Sequence, residues 1–204
     1  MGEIEAFNRS LFLLINAGSD TPHWLILLAI GIAKGLIFLL PVLMMGFWVW
    51  GHRGERRLVL KATLITVIAL VVNQLIWAVW PHPRPFMIGL GHTWMLHAPD
   101  SSFPSDHMTV FGCIGLTLLL DGLSGWGVII LLTGLCVAWA RVYLGVHFPL
   151  DMVGGMVVSF LVYSGFSPIW RRIGTRMTDL AEQLYRNLMA MPIRAGWVRA
   201  DFRR

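Results

Sequence analysis

Charged residues are scarce in this sequence. Asp, Glu, Lys and Arg make up 13% of its 204 residues, whereas hydrophobic residues make up 56%. Soluble globular domains carry about 25% charged residues, so this composition excludes an ordinary soluble enzyme. The length leaves room for one large domain, and we therefore predict a single membrane domain over residues 1–204.

Cysteine is also rare. Cys113 and Cys136 both lie within apolar runs, where a free cysteine behaves as a small hydrophobic residue. The sequence thus excludes a disulfide framework and a cysteine metal site. The positive start of a signal peptide is missing too, because Glu3 and Glu5 stand where Lys or Arg would be expected. We expect this first segment to be retained.

The first segment has apolar residues at helical spacing. They are Ile4, Phe7, Leu11, Leu14 and Ile15, and polar residues occupy the other side. This pattern predicts that residues 1–20 form an amphipathic helix lying along the membrane interface. A frayed terminal arm is the alternative.

Long apolar runs dominate the rest of the chain. A helix needs about 20 residues to cross the hydrocarbon core of a bilayer. Five runs fit, near residues 24–50, 58–80, 107–120, 126–142 and 150–170. The third is short, so its helix is expected to begin near Ser105. The predicted fold is all-α: a polytopic membrane bundle over residues 24–170 with about five transmembrane helices, plus the interfacial helix.

The basic residues indicate topology. The net charge of +5 could suggest nucleic-acid binding, but these residues flank apolar runs and form no isolated patch. Four lie at 53–61 after the first run, and eight arginines lie within 171–204 after the fifth. An odd number of spans precedes each segment, so the positive-inside rule makes both cytoplasmic. Residues 171–204 are therefore a predicted cytoplasmic tail, and 81–104 and 145–149 should face outward.

Residues suited to catalysis are concentrated in the outward segments. They form three clusters: Pro81-His82-Pro83-Arg84-Pro85, Phe103-Pro104-Ser105-Asp106-His107, and Arg141 with His147 and Asp151. Each cluster lies at the outer end of a predicted span. Topology alone therefore brings the three clusters to one surface.

These residue types suit a phosphate group. Helix N-termini favour anions, and Ser105 is a natural N-cap for the third span. Arg84 and Arg141 carry planar guanidinium groups that match phosphate oxygens. His147 and Asp151 are four residues apart, so in a helical turn the carboxylate could orient the imidazole for attack.

Each of these residues also has a simpler interpretation. Either arginine alone could be an interfacial residue whose charged end reaches toward water. An isolated histidine at a helix start is commonly an interfacial polar residue. The combination on one surface favours the catalytic interpretation.

At these residues the sequence resembles the type-2 phosphatidic acid phosphatase superfamily, whose signature is K-x6-R-P, P-S-G-H and S-R-x5-H-x3-D. Arg84-Pro85 resembles the end of the first part, and Pro104-Ser105-Asp106-His107 resembles the second. Arg141, His147 and Asp151 have the spacing of the third. The stretches PHPRPF, FPSDH and RVYLGVHFPLD resemble in particular the BcrC-type undecaprenyl-diphosphatases of that superfamily.

The sequence departs from the signature at three positions. Trp77 replaces the lysine of the first part, so that phosphate contact is either missing or supplied by another residue. The candidates are Lys34, within the first span, and His82. Asp106 replaces the glycine of the second part, which places an acid near the phosphates. Ala140 replaces the serine of the third part.

The resemblance implies catalysis through a phosphohistidine. His147 would attack the terminal phosphorus, Asp151 would orient it, and His107 would protonate the leaving oxygen. Three residues would hold phosphate oxygens: Arg84, Ser105 and Arg141. No metal or cofactor is implied. The substrate would be a polyprenyl diphosphate at the outer face of a bacterial inner membrane, with membrane lipids as the other partners and no nucleic acid.

Four alternatives stay open at this point. A phosphatase for phosphatidylglycerol phosphate or another lipid phosphate would use the same site, and a phosphotransferase would differ only in its acceptor. A non-enzymatic lipid transporter would explain the spans but not the histidine and carboxylate pair. A metal hydrolase would need a ligand set drawn from His82, His92, His97 and Asp100, whose spacing matches no established pattern. The oligomeric state is not predicted.

Overall fold

The computed structural model describes residues 2–191 and Ala195, and this part of the chain is helical. Its α-helices are α1 Glu3–Ile15, α2 His23–Gly35, α3 Leu39–Trp50, α4 Arg53–Val79, α5 Asp106–Asp121, α6 Ser124–Tyr143 and α7 Pro149–Leu188. Two 3₁₀ turns occur, Leu36–Phe38 and Pro85–Ile88. No strand lies within the described residues, so the predicted all-α class is confirmed.

Within the described residues, four helical segments are long and apolar enough to cross a membrane: His23–Trp50, Arg53–Val79, Ser124–Tyr143 and Pro149–Leu188. The third predicted span corresponds to α5, which has 16 residues and is therefore about 24 Å long. This helix packs against α4, α6 and α7, and most of its residues are buried. Because protein surrounds α5, its length need not match the thickness of the bilayer.

The first predicted span is one apolar run, and in the structure a 3₁₀ turn interrupts its α-helix between α2 and α3. Pro41 lies in the first turn of α3 and has no N–H to donate to the carbonyl of Ile37. The 3₁₀ turn Leu36–Phe38 precedes it. Hydropathy cannot reveal such an interruption, because every residue of this 3₁₀ turn is apolar.

The helix of the fifth span does not end at residue 170 as predicted. It continues as α7 to Leu188, so much of the predicted tail is helical. Buried residues recur every fourth position along this extension: Trp170, Gly174, Thr178 and Glu182. They face the end of α3 and the start of α4, where Arg53 lies 3.6 Å from Glu182. The remainder of the predicted tail, 192–194 and 196–204, lies outside the described residues.

The amino-terminal segment is a helix rather than a frayed arm. In α1, Asn8 and Phe12 are buried, and the Asn8 side chain accepts a hydrogen bond from the Leu150 N–H at 3.1 Å. Phe12 meets Phe148 edge to face, with ring centroids 5.4 Å apart. The helix therefore covers the start of α7, beside the candidate site.

Candidate active site

A tight turn brings Arg141 and His147 together. Arg141 lies in the last turn of α6, and Gly145 follows with φ 81°. A Cβ at Gly145 would lie 2.1 Å from the carbonyl oxygen of His92, so only glycine fits this close approach. The chain reverses there, and the Val146 N–H donates to the Arg141 carbonyl at 3.1 Å.

His147 is paired with Asp151 at the start of α7. Its Nδ1 lies 3.1 Å from Asp151 Oδ2, and the same oxygen accepts the Phe148 N–H at 2.7 Å. Asp151 is the third residue of α7 and reaches back over the helix N-terminus, as in a capping box. His147 precedes α7, so the two side chains do not share a face of that helix. They meet because Asp151 folds back over the helix N-terminus.

The hydrogen-bond partners of His147 indicate which of its ring nitrogens carries the hydrogen. Nδ1 faces a carboxylate and carries the hydrogen, whereas Nε2 lies 2.9 Å from Arg84 Nη1 and 3.4 Å from Arg141 Nη2. Because arginine only donates, Nε2 presents its lone pair to both. Burial, together with Arg141 and Arg84, lowers the pKa of His147 well below 6.5. The imidazole is therefore neutral, and Nε2 becomes available for attack once a phosphate engages the arginines.

Arg84 is held rigidly beneath the site. Its guanidinium is 2% exposed and donates to the carbonyls of Val146 at 2.8 Å and Ser101 at 3.2 Å. Its Nε donates to Asp100 Oδ1 at 2.7 Å. Asp100 thus pairs with the Nε edge of this guanidinium.

Arg141 lies between three imidazoles. Its Nη2 is 2.8 Å from His97 Nε2 and 3.4 Å from His147 Nε2, and its Nη1 is 3.2 Å from His107 Nε2. Its Nε is buried and has no hydrogen-bond partner among the described residues. An unsatisfied buried donor of this kind is costly, and an anionic ligand would satisfy it.

Two helix N-termini meet beside these groups. Ser105 caps α5, accepting the Met108 N–H at 3.5 Å, and its own N–H donates to the Asp151 carbonyl at 3.0 Å. The positive ends of the α5 and α7 dipoles therefore point to the same place. The structure brings together six of the predicted site residues: Arg84, Ser105, His107, Arg141, His147 and Asp151.

The two residues expected to replace the missing lysine lie elsewhere. Lys34 is exposed on α2 and forms no hydrogen bond or ion pair within the part of the chain that the structure describes. His82 lies toward α1, with Nε2 3.7 Å from Glu5 Oε2. Trp77, at the lysine position itself, donates from Nε1 to the Pro104 carbonyl at 3.3 Å and so steadies the loop before α5.

Asp106 lies beside the site, and its carboxylate accepts a hydrogen bond from a residue of α4. Its Oδ1 accepts from Asn73 Nδ2 at 2.8 Å, and Asn73 also donates to Thr109 Oγ1 at 3.0 Å. Asn73 is fully buried, about two turns before the end of α4. A buried amide in an apolar span is an expected sign of a functional position, and sequence reasoning missed it.

Three further residues of the loop between α4 and α5 were not assigned to this site from the sequence. Ser102 Oγ donates to Asp151 Oδ2, Asp100 binds Arg84, and His97 binds Arg141. The density of polar residues in HAPDSSFPSDH was the available signal.

A metal site would need a different arrangement. Among the described residues, no group of three His, Cys, Asp or Glu side chains could hold a metal ion. Moreover, His97 Nε2 faces the Arg141 cation, which disfavours a second cation at that nitrogen.

Comparison with known proteins identifies the family. The sequence model of the PAP2 superfamily matches residues 58–174. The chain belongs to the PAP2 superfamily. The predicted resemblance is thereby confirmed, and the chain is a membrane protein of that family.

Two PAP2 relatives match nearly the whole chain. YbjG of Escherichia coli (strain K12) is 40% identical over 196 residues, covering 96% of this chain and 99% of YbjG. BcrC of Bacillus subtilis (strain 168) is 30% identical over 189 residues, covering 91% and 97% of the two chains. Both relatives carry the name of an undecaprenyl-diphosphatase.

Solved PAP2 structures share the fold. LpxE of Aquifex aeolicus superposes with a TM-score of 0.58 at 25% identity, covering 76% of this chain and 92% of that chain. A transmembrane PAP2-type phosphatidylglycerolphosphate phosphatase from Bacillus subtilis gives a TM-score of 0.58 at 22% identity, covering 82% and 88%. The second likeness concerns the fold alone.

Proposed function

We propose that this PAP2 chain hydrolyses undecaprenyl or another polyprenyl diphosphate, releasing inorganic phosphate and polyprenyl phosphate. The observation that carries the proposal is the neutral His147 imidazole, held by Asp151 with Nε2 directed at two guanidinium groups. The names of the two PAP2 relatives support the choice of a polyprenyl diphosphate over other lipid phosphates. The released polyprenyl phosphate would return to use as a cell-wall lipid carrier.

The reaction takes two displacements. In the first, His147 Nε2 forms a bond to the terminal phosphorus while the bond from that phosphorus to the bridging oxygen breaks, and His107 gives the leaving oxygen a proton. In the second, water attacks the phosphorus of the phosphohistidine, His107 takes back a proton from that water, and the N–P bond breaks, which leaves His147 neutral. Arg84, Arg141 and the two helix N-termini stabilise the charge on the equatorial oxygens.

An apolar cavity near the site suits the isoprenoid tail. It has a volume of about 690 Å³ and lies between α3, α4 and α5. Val110 lines it and follows His107 by three residues on α5, so the two side chains lie on neighbouring positions of one helix face. The tail would therefore stay within the membrane while the head group reaches the arginines.

The location follows from charge. With the basic residues at 53–61 and the α7 extension in the cytoplasm, the arginine site faces the outer side of a bacterial inner membrane. Polyprenyl diphosphate in the outer leaflet would then be the accessible substrate.

The decisive experiment measures phosphate release by the purified full chain from polyprenyl diphosphate, polyprenyl monophosphate and phosphatidylglycerol phosphate, with and without a chelator. We expect the diphosphate to be cleaved fastest and the chelator to have no effect. A phosphorylated enzyme should be trapped with labelled diphosphate and be absent in His147→Ala. Preferential cleavage of phosphatidylglycerol phosphate would contradict the proposed substrate.

A further inference from the structure

Arg141 contacts a histidine that the proposed mechanism does not use. His147 is the nucleophile and His107 the leaving-group acid, yet His97 makes the shortest of the three contacts, 2.8 Å from Nε2 to Arg141 Nη2. The rings of His97 and His147 lie with centroids 6.0 Å apart. His97 therefore belongs to the same site.

Backbone hydrogen bonds before and after His97 in the sequence fix the position of its loop. Before it, the Trp94 N–H donates to the Leu144 carbonyl at 3.0 Å. After it, the Ser102 N–H donates to the His82 carbonyl at 2.7 Å. The side chain is 20% exposed, compared with 2% for His147. His97 is thus fixed over the site and still reachable by a ligand.

The hydrogen bonds of His97 indicate which of its ring nitrogens is a donor and which is an acceptor. Nδ1 lies 3.1 Å from the Ala98 carbonyl, so Nδ1 carries the hydrogen and Nε2 accepts from Arg141. Burial lowers the pKa of His97, and Arg84 and Arg141 lower it further, against the opposing effects of the Ala98 carbonyl and Asp100. The ring is therefore neutral before a ligand binds. An anion on Arg141 would favour its protonation, and Nε2 would then donate to that anion.

Distance distinguishes the two phosphates of a diphosphate. The terminal phosphorus must approach His147 Nε2 to about 3 to 3.5 Å for attack. The rings of His97 and His147 both contact Arg141 Nη2, at 2.8 and 3.4 Å, and their centroids lie 6.0 Å apart. When the terminal phosphoryl group of a diphosphate on this guanidinium lies at His147, the second phosphoryl group is therefore within reach of His97. A monoester has no second phosphoryl group at that position.

We propose that His97 binds the second phosphate of a diphosphate head group, the one that is not transferred, and so selects diphosphates over monophosphates. This inference rests on the proposed function and names the residue that would give it specificity. Arg141 would bridge the two phosphates, with His147 and His97 on either side.

The kinetic test compares polyprenyl diphosphate with polyprenyl monophosphate. Loss of a hydrogen bond to a charged group should lower kcat/KM of His97→Ala for the diphosphate by about 10- to 100-fold, with much less change for the monophosphate. His97→Gln, which can still donate, should recover part of the loss. His92→Ala is the matched control, because His92 is an exposed histidine of the same loop. Equal losses on both lipids, with accumulation of phosphoenzyme, would assign His97 to water activation and overturn the inference.

A binding test separates this inference from the proposed function. Calorimetry on the purified chain would measure the affinities for inorganic phosphate and for methylenediphosphonate, a diphosphate analogue that cannot be hydrolysed. Wild-type protein should prefer the diphosphonate, and His97→Ala should lose that preference while still binding phosphate, which also shows that it is folded. If this holds but polyprenyl diphosphate is not cleaved, the proposed function fails alone. A preference unchanged in His97→Ala would overturn the inference, whatever lipid is cleaved.

Discussion

A histidine can attack phosphorus only through a ring nitrogen with a free lone pair. In His147 that nitrogen is Nε2, because Asp151 holds the Nδ1 hydrogen. Burial and the two arginines lower the pKa of the ring. We expect ¹⁵N NMR of histidine-labelled protein, with the His147 signal assigned by its loss in His147→Gln, to show this ring neutral at pH 6.5. A titration midpoint above 6.5 would contradict the expectation.

The lowered pKa of His147 also makes the stability of the folded chain depend on pH. The unfolded chain titrates this histidine near 6.5 and binds the proton more tightly than the folded chain, so stability should fall as the pH drops below 6.5. It should be unaffected by this group above that pH.

Removal of the nucleophile and of its orienting group should have unequal effects. His147→Ala should abolish turnover and the phosphoenzyme. Asp151→Asn should leave a trace, roughly 10⁻⁴ of the wild-type rate, because the nucleophile persists in the wrong tautomer. Initial rates of phosphate release check both variants, and near-normal turnover of His147→Ala would refute the phosphohistidine.

The contribution of His107 should depend on the leaving group. A diphosphate expels a phosphate monoester whose remaining proton has a pKa of about 6, whereas a lipid monophosphate expels an alkoxide whose conjugate acid is nearer the roughly 15.7 of water. General acid catalysis contributes typically 10² to 10⁴-fold for a poor leaving group. We expect His107→Ala to slow cleavage of polyprenyl monophosphate by a larger factor than cleavage of the diphosphate, in assays where chemistry limits the rate. Equal factors would instead indicate phosphate binding by His107.

Motif spacing predicted Arg84, Arg141 and the histidine between them, His147. It did not predict the loop residues that contact the two arginines, Asp100 and His97. Arg84, Arg141 and His147 could be found because each stands at a fixed distance from other motif residues. His97 and Asp100 reach the site through a loop whose path depends on the Gly145 turn and on contacts distant in sequence. No local pattern encodes such a path.

At the scale of helices, the crossing of α5 and α7 determines where the two N-termini meet. A Cβ at Gly155 would lie 2.7 Å from the Ser105 carbonyl oxygen and 3.1 Å from the Thr109 nitrogen, so the two helices touch through backbone. Helix lengths were harder to predict, because the apolar pattern that locates a span carries no information about the amphipathic extension beyond residue 170.

Gly155→Ala should therefore force α7 away from α5. We expect a loss of about 1 to 3 kcal/mol of stability, together with lower turnover, because the Ser105 to Asp151 backbone hydrogen bond would be strained. Gly165→Ala, on the same helix with nothing within 4 Å of the added Cβ, should leave turnover unchanged and stability equal or slightly higher. Thermal unfolding and phosphate release measure both. Equal behaviour of the two variants would contradict the role given to this contact.

At the scale of the whole molecule, the candidate catalytic residues and the cavity of about 1140 Å³ lie at opposite ends of the helix bundle. A cavity of about 1140 Å³ lies at the end of the bundle away from the arginine site, between α4, the α5–α6 turn and α7. Its lining includes Lys61, which is 3% exposed and paired with Asp121 at 2.6 Å. This ion pair ties α4 to the far end of α5. The cavity is larger than the one near His107, yet the histidine pair and both site arginines lie at the other end.

The two ends of the bundle should lie on opposite sides of the membrane. The basic residues at 53–61 and along the α7 extension lie at one end, and the positive-inside rule assigns that end to the cytoplasm. Single cysteines can test this in a Cys136→Ala background, since Cys113 is buried. Leu96, in the loop between α4 and α5, is 97% exposed, and Met191, after α7, is 82% exposed, so both substitutions should be tolerated and accessible. A membrane-impermeant maleimide should label Leu96→Cys in intact spheroplasts and Met191→Cys only after the membrane is opened. If both cysteines were labelled from the same side, either the span count or the assignment of ends would be wrong, and the arginine site would lose its access to lipid in the outer leaflet.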